Sequence, residues 1–273
     1  MTRPGRIERG LIAVGGPDAR PFLQNLLTQD LDKLDAAGVA YAALLSPQGK
    51  VNADMFVWER ADGLLLDVAP SRGADLLRRL SIYKLRANVT LADVSAEHDV
   101  LISADAFDGA VSDPRLAALG YRAIAAKGDA PPASLDDRHI AAGVPDLARD
   151  AQPEEVFAGE ALLEELNGVA FDKGCFVGQE NVSRMKRRAT TRKKFCPVVF
   201  EGEGIAFGTP VLTGEAEIGS VRTGVAGRAI ALLRLDRALD AARAGANLTA
   251  ADRQVRLDAP PWLIVPRQED GAY

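Results

Sequence analysis

The stretch that decides the fold is residues 173–180, which read Lys-Gly-Cys-Phe-Val-Gly-Gln-Glu. The sequence continues as Asn-Val-Ser-Arg-Met, so the pattern predicts a loop followed by a helix, with Cys175 near the helix start. Backbone amides and the helix dipole favour an anion at that position, so a thiolate should form there more readily than on a free thiol. The alternative is that Cys175 is a small buried hydrophobic residue, the commonest role of a free cysteine. Both interpretations are open at this point.

Cysteine and histidine counts limit the metal chemistry of the chain. Its two cysteines, Cys175 and Cys196, are too few for the disulfide framework of a small secreted protein. A structural zinc site usually has four closely paired cysteine and histidine ligands, and no such pairing occurs here. An all-cysteine iron-sulfur cluster needs four thiolates, so we expect no stable metal within one chain. We predict that Cys196, in the apolar run 195–199, is a core residue.

Composition is that of a globular protein. The chain has 273 residues, of which 47% are hydrophobic and 26% charged. No apolar stretch reaches the 18 residues of a membrane helix, and residues 1–14 lack the apolar segment of a secretory signal. We therefore expect a cytoplasmic protein with no membrane association, and a monomer.

Positive charge is concentrated in one segment. The net charge is −5, yet residues 181–200 contain seven lysines and arginines and no acid. A basic patch on an acidic protein favours an anionic ligand or partner bound at one place. The alternative is a solvated helix face. RNA binding has least support because the segment lacks interleaved aromatic residues and a known RNA-binding signature, so we expect no direct nucleic-acid binding.

Periodicity predicts an α+β protein. Apolar residues at positions 22, 23, 26, 27 and 31 predict a helix, and 41–45 and 51–58 predict a hairpin around Ser-Pro-Gln-Gly. Alternation places Asn52 and Asp54 on one polar and aromatic face. A further helix is predicted from Pro153 to a stop at Asn167-Gly168. Beyond residue 195, short glycine-punctuated strands predict a small antiparallel barrel ending near Trp262.

The motif at residues 173–180 is similar to the signature of a known family. Together with the preceding Leu-Leu-Glu-Glu-Leu-Asn-Gly-Val-Ala-Phe-Asp at 162–172 and the following Arg184, it resembles the signature of the YgfZ family. That family is related to the folate-dependent T-protein, the aminomethyltransferase of glycine cleavage. Supporting segments occur in the family's order: 22–31, 46–50, 83–89, 143–145 and 219–224.

The resemblance implies a fold and a division into domains. It implies an α+β, three-lobed, T-protein-like arrangement around a central opening, with a small C-terminal β-barrel. Residues 1–190 would form the folate-binding region, built from two interleaved α+β lobes, the second at about 40–105. Residues 191–273 would form the barrel.

The resemblance also implies site residues. The family's motif cysteine corresponds to Cys175 and is the expected catalytic residue; a cluster bound there would need a partner. The remaining motif positions are Lys173, Gly174, Gly178, Gln179 and Glu180. Members of the family are similar to iron-sulfur cluster assembly or repair factors, so the expected partners are assembly or client proteins.

Tetrahydrofolate or a derivative is the cofactor that the resemblance implies. Asn52 and Asp54 would meet the pterin, and an arginine would meet the glutamate tail. The candidates for the tail are Arg184, Arg187 and Arg192. The sequence departs from the family at Ala141, where relatives often carry an acidic pterin anchor.

The resemblance and the motif residues imply two alternative functions. The first is a folate-binding accessory factor acting through Cys175 in iron-sulfur cluster assembly, with indirect effects on cluster-dependent enzymes, including those that modify tRNA. The alternative is a tetrahydrofolate-dependent aminomethyl or methyl transferase, which would use Asp54 and have little need of Cys175. The complete thiol motif and the incomplete pterin anchor favour the first.

Overall fold

A computed structural model of the protein describes residues 3–188 and 191–265. The strands are β1 (Gly5–Ile7), β2 (Gly10–Gly15), β3 (Val39–Leu45), β4 (Val51–Arg60), β5 (Gly63–Val68), β6 (Thr90–Asp93), β7 (His98–Ser103), β8 (Val111–Ser112), β9 (Tyr121–Ala126), β10 (Lys193–Phe200), β11 (Pro210–Thr213), β12 (Ala216–Val225), β13 (Arg228–Arg234), β14 (Leu248–Ala250) and β15 (Arg253–Leu257). The helices are α1 (Ala19–Gln24), α2 (Leu34–Ala37), α3 (Pro70–Lys84), α4 (Asp136–Ala142), α5 (Leu147–Asp150), α6 (Gln179–Arg187) and α7 (Leu235–Arg243).

Three β structures organise the chain. A five-stranded antiparallel sheet has the order β3-β4-β5-β2-β6, and a four-stranded sheet has the order β1-β7-β9-β8. The remaining six strands close into a barrel in the order β10-β13-β12-β11-β14-β15. The α+β class and the C-terminal barrel are therefore confirmed. Among the described residues, none of the helices combines the length and the apolar character that crossing a bilayer requires.

The β3–β4 hairpin follows from local sequence. Gly49 adopts a φ of 81°, and its amide donates to the carbonyl of Ser46 at 2.8 Å, which closes the turn. Because side chains alternate along β4, Met55 packs in the core beneath α1 and α3. Phe56 and Trp58 face the opposite way, into a core shared with the other sheet and the barrel. The predicted polar and aromatic face thus lies at the centre of the molecule.

Two helix predictions are wrong in part. The segment 153–167 forms successive turns rather than a helix, because Glu154, Leu162 and Asn167 adopt φ values of 61°, 61° and 55°. Left-handed residues interrupt the repeating i to i−4 hydrogen bonds of an α-helix. The helix predicted from positions 22–31 ends at Gln24, and Leu31 begins a short 3₁₀ helix instead.

Strand pairing departs from the predicted lobe at about 40–105. The five-stranded sheet includes β2, which precedes this range, whereas β7 pairs in the other sheet with β1 and β9. The pairings of β2 with β5 and of β1 with β7 both join strands that are far apart in sequence. Periodicity identifies such strands but gives no information on their partners.

Candidate functional site

Glycine 178 sets the geometry of the segment that contains Cys175. It precedes α6 with a φ of 81°. A Cβ atom there would lie 2.6 Å from the carbonyl oxygen of Ser46 and 3.0 Å from the Cα of Gly49. Only glycine lets the start of α6 pack this closely against the β3–β4 turn. Gly174, by contrast, has nothing within 4 Å of its Cβ position.

Lys173 anchors the other end of the loop. Its side chain is buried, and the ammonium donates to three backbone carbonyls: Gln24 at 2.6 Å, Leu27 at 2.7 Å and Gln29 at 2.9 Å. Burial lowers the pKa of Lys173 to about 8, against the attraction of Asp30 and Asp32, so the charged form predominates near neutral pH. The sequence leaves the role of this lysine open, and the structure gives it three hydrogen-bond acceptors, one in the last residue of α1 and two just after it.

Neighbouring side chains hold the loop from both sides. Phe176 belongs to the central core, and Val177 packs against the core beneath α1 and α3. Gln179 donates to the carbonyl of Gly174 at 3.3 Å, which closes the loop on itself. Glu180 is exposed in the first turn of α6. The loop is therefore fixed around Cys175 by residues from within its own motif.

The two cysteines occupy opposite environments. Cys175 is exposed, whereas Cys196 is 0% exposed in β10. Burial raises the pKa of the Cys196 thiol to about 12. Cys196 is thus a core residue, as predicted, and the structure excludes a core role for Cys175.

Alkylation should distinguish the two thiols. We expect iodoacetamide at pH 7.5 to modify Cys175 in the native protein and to leave Cys196 unmodified, since only exposed thiolates react readily. Mass mapping after a short pulse measures the two sites. Denatured protein, in which both sites react, is the control; equal labelling of both sites in the native protein would contradict this description.

A basic surface lies toward the C-terminal end of α6, the helix that follows the Cys175 loop. Arg187 and Arg188 are exposed and form no ion pair with any residue in 3–188 or 191–265. Arg184 donates to Asn181, and Lys186 pairs with Glu164. Arg192 precedes β10 and is also exposed. The segment therefore presents free positive charge at the C-terminal end of α6, one helix length from the Cys175 loop, and part of its charge is compensated.

Asn52 and Asp54 lie together on β4, but they do not form a cavity of folate size. The Asp54 carboxylate accepts a hydrogen bond from the Tyr41 hydroxyl at 2.9 Å. Asn52 is buried, and its Oδ1 has no partner in the part of the chain that the structure describes. The cavity beside them is about 10 Å³, bordered by Arg72 and Gln152. That volume holds about one water molecule.

A pterin ring does not fit this cavity. The three arginines expected to bind the glutamate tail, Arg184, Arg187 and Arg192, do not border it. Folate binding therefore stays a prediction.

A buried ionic cluster lies between the two sheets, and the sequence analysis missed it. Arg122, 1% exposed, donates to Asp67 at 2.9 Å, and its guanidinium lies 3.3 Å from the centroid of the Phe56 ring. Arg115 donates to Asp113 at 2.8 Å. Burial raises the pKa of Asp113, but Arg115 and Arg122 outweigh it and lower the pKa to about 2. The one available signal was an aspartate at position 67 within an otherwise apolar strand.

Comparisons with known proteins place the chain in a family. Residues 192–264 match the family described as CAF17, C-terminal beta-barrel domain. The chain is 32% identical over 269 residues to the human mitochondrial iron-sulfur cluster assembly factor IBA57, covering 82% of this chain and 75% of that protein. It is 30% identical over 223 residues to the mitochondrial IBA57 homologue of Mycosarcoma maydis, covering 70% of this chain and 55% of that protein.

A solved structure matches the fold. The glycine cleavage system aminomethyltransferase T of Bartonella henselae superposes with a TM-score of 0.73 at 15% identity, covering 96% of this chain and 87% of that chain. The predicted T-protein-like fold is therefore confirmed.

Two predictions need correction. The predicted cytoplasmic location is contradicted, because these IBA57 relatives are named as mitochondrial proteins. The lack of a secretory apolar segment in residues 1–14 bears only on secretion. Mitochondrial targeting depends on other sequence features. The family name also differs from the predicted YgfZ, although the iron-sulfur assembly relationship is confirmed. The chain belongs to the IBA57 (CAF17) family of iron-sulfur cluster assembly factors.

Proposed function

We propose that this protein acts in iron-sulfur cluster assembly and that Cys175 is its ligand to a cluster carried as cargo. The observation that carries the proposal is an exposed thiol on a loop that Lys173 and Gly178 fix in place. Fixing the loop reduces the conformational entropy lost when the sulfur binds iron. Family membership supplies the chemical context.

Cluster binding requires a partner. Cys196 is buried, so one chain presents one thiol, whereas an all-cysteine cluster takes four thiolates. A second protein or small thiols supply the other three, or a second copy of the chain supplies one of them and small thiols supply the rest. When a cluster passes to this protein from a donor, Cys175 loses its proton and forms an iron–sulfur bond. At the same time a thiolate of the donor leaves the iron and takes up a proton. No electron is transferred.

The basic surface favours a negatively charged partner. Arg187 and Arg188, at the C-terminal end of α6, attract carboxylates of an approaching assembly or client protein to the face of the helix that follows the loop. Enzymes that need clusters, including those that modify tRNA, then depend on this protein indirectly. Aminomethyl transfer has less support, since Asp54 is engaged by Tyr41 and the adjoining cavity is about 10 Å³.

Rescue of cells that lack the protein tests this function. We expect the wild-type chain and Cys196→Ala to restore the activity of cluster-dependent enzymes, and Cys175→Ser to restore less than a tenth of it at equal protein level. The serine variant should fold normally, because an exposed oxygen-for-sulfur change removes little packing. Full rescue by Cys175→Ser would refute the proposal.

A further inference from the structure

A cavity of about 320 Å³ lies between the two sheets, apart from the Cys175 loop. Residues 6–11, from the end of β1 into β2, form one side of it, and β7 forms another with His98 and Asp99. Pro70, at the start of α3, and Lys127 complete the rim. Ligand pockets typically measure about 300–1,000 Å³, so this cavity has room for a small molecule.

Positive charge in this pocket exceeds the negative charge available to it. Asp99 is shared by two cations: Lys127 lies 3.0 Å away and Arg6 lies 3.9 Å away. Arg9 pairs with Asp67, which also accepts from Arg122. Glu8 is the other acid of the lining, so three cations, Arg6, Arg9 and Lys127, face two lining carboxylates, and the net positive charge favours an anionic ligand.

An unpartnered polar atom and apolar walls complete the pocket. The Nδ1 atom of His98 is buried and has no hydrogen-bond partner within residues 3–188 and 191–265. A polar atom buried in this way is costly, and a turn of the ring toward the cavity would let Nδ1–H donate to an anionic ligand and remove that cost. Ile7, Leu11 and Val100 provide apolar surface in the same cavity. The lining therefore suits a molecule with a charged end and an apolar body.

We propose that this pocket binds a small organic anion whose carboxylate or phosphate group lies near Lys127, Arg6 and His98. The apolar part of the ligand packs against Ile7, Leu11 and Val100. The site shares no residue with the Cys175 loop, so it stands independently of the proposed role in cluster assembly.

Histidine NMR of the full-length protein tests the proposal. The chain has two histidines, His98 and His139. His139 is buried, and burial together with Arg115 lowers its pKa well below the usual value, so its signal serves as a reference. Benzoate and acetate are the probes. We expect saturable shifts of the His98 ring signals alone, with benzoate binding at least fivefold more tightly than acetate because of the apolar walls. Unmoved His98 signals, or equal affinities for the two probes, would overturn the proposal.

Three variants make the test specific for charge. Lys127→Ala should weaken benzoate binding at least fivefold, and Glu8→Gln, which removes a negative charge from the lining, should strengthen it about twofold. Lys33→Ala removes an exposed cation outside the pocket and should change nothing. If Lys33→Ala weakens binding as much as Lys127→Ala, the protein attracts anions only through its overall charge, and the pocket is not a site.

Discussion

Replacement of Asp67 by asparagine is expected to lower the free energy of unfolding by about 3–5 kcal/mol. The Asp67 side chain is 0% exposed and bonds both Arg9 and Arg122, the latter at 2.9 Å. Loss of its charge leaves Arg9 without its ion-pair partner and leaves Arg122 with Asp113 alone, whose Oδ2 lies 3.5 Å from the Arg122 Nε. Removing one partner of a buried ion pair is far more costly than removing a surface charge, because water does not reach the remaining charge.

The matched control is Asp75→Asn on α3. Asp75 also bonds two arginines, Arg78 and Arg79, but its side chain is 42% exposed. We expect Asp75→Asn to lower the free energy of unfolding by about 0.2–1 kcal/mol, which is what an exposed ion pair contributes. Urea unfolding followed by circular dichroism measures both variants. Equal effects would show that the central cluster contributes no more to stability than a surface pair.

The second large effect is expected at Lys173. Lys173→Met keeps a chain of similar length but removes the donor of three hydrogen bonds to the carbonyls of Gln24, Leu27 and Gln29. Each unsatisfied buried acceptor costs about 1–3 kcal/mol. Because the flexible Met side chain allows partial relaxation around the three carbonyls, we expect the free energy of unfolding to fall by about 3 kcal/mol. The loop that contains Cys175 should also become mobile, because its connection to the end of α1 is lost.

Lys186→Met is the control for this variant. Lys186 pairs with Glu164, but its side chain is 44% exposed. Because exposed ion pairs contribute little, we expect the free energy of unfolding to fall by less than about 1 kcal/mol. Urea unfolding gives the stability, and amide hydrogen exchange of residues 174–178 reports on the loop. If Lys173→Met changes neither quantity more than Lys186→Met, the lysine does not anchor the loop.

Local features of the fold were predictable from the sequence. The β3–β4 hairpin was recognised because alternation and the Ser-Pro-Gln-Gly turn are both local signals, and Gly49 indeed adopts a positive φ. The loop-to-helix pattern likewise predicts that Cys175 lies just ahead of a helix, which the structure confirms, whereas its exposure is decided only by the structure.

Features that depend on distant contacts were not predictable. The acceptors of Lys173 are backbone carbonyls, which every residue has, so residue types carry no sign of them. The pairing of Asp67 with Arg122 spans 55 residues and two sheets. Leu162 has a helix-favouring side chain, yet it adopts a φ of 61° because packing outweighs its propensity. In each case, tertiary contacts decide the structure.

Reconstitution with iron, sulfide and glutathione tests the central claim most directly, since glutathione supplies the thiolates that one chain lacks. Visible absorption and bound iron and sulfide are measured for wild type, Cys196→Ala and Cys175→Ser. Wild type and Cys196→Ala should take up the cluster equally, because Cys196 is 0% exposed and out of reach. Cys175→Ser should bind none. A cluster retained in full by Cys175→Ser would contradict the account.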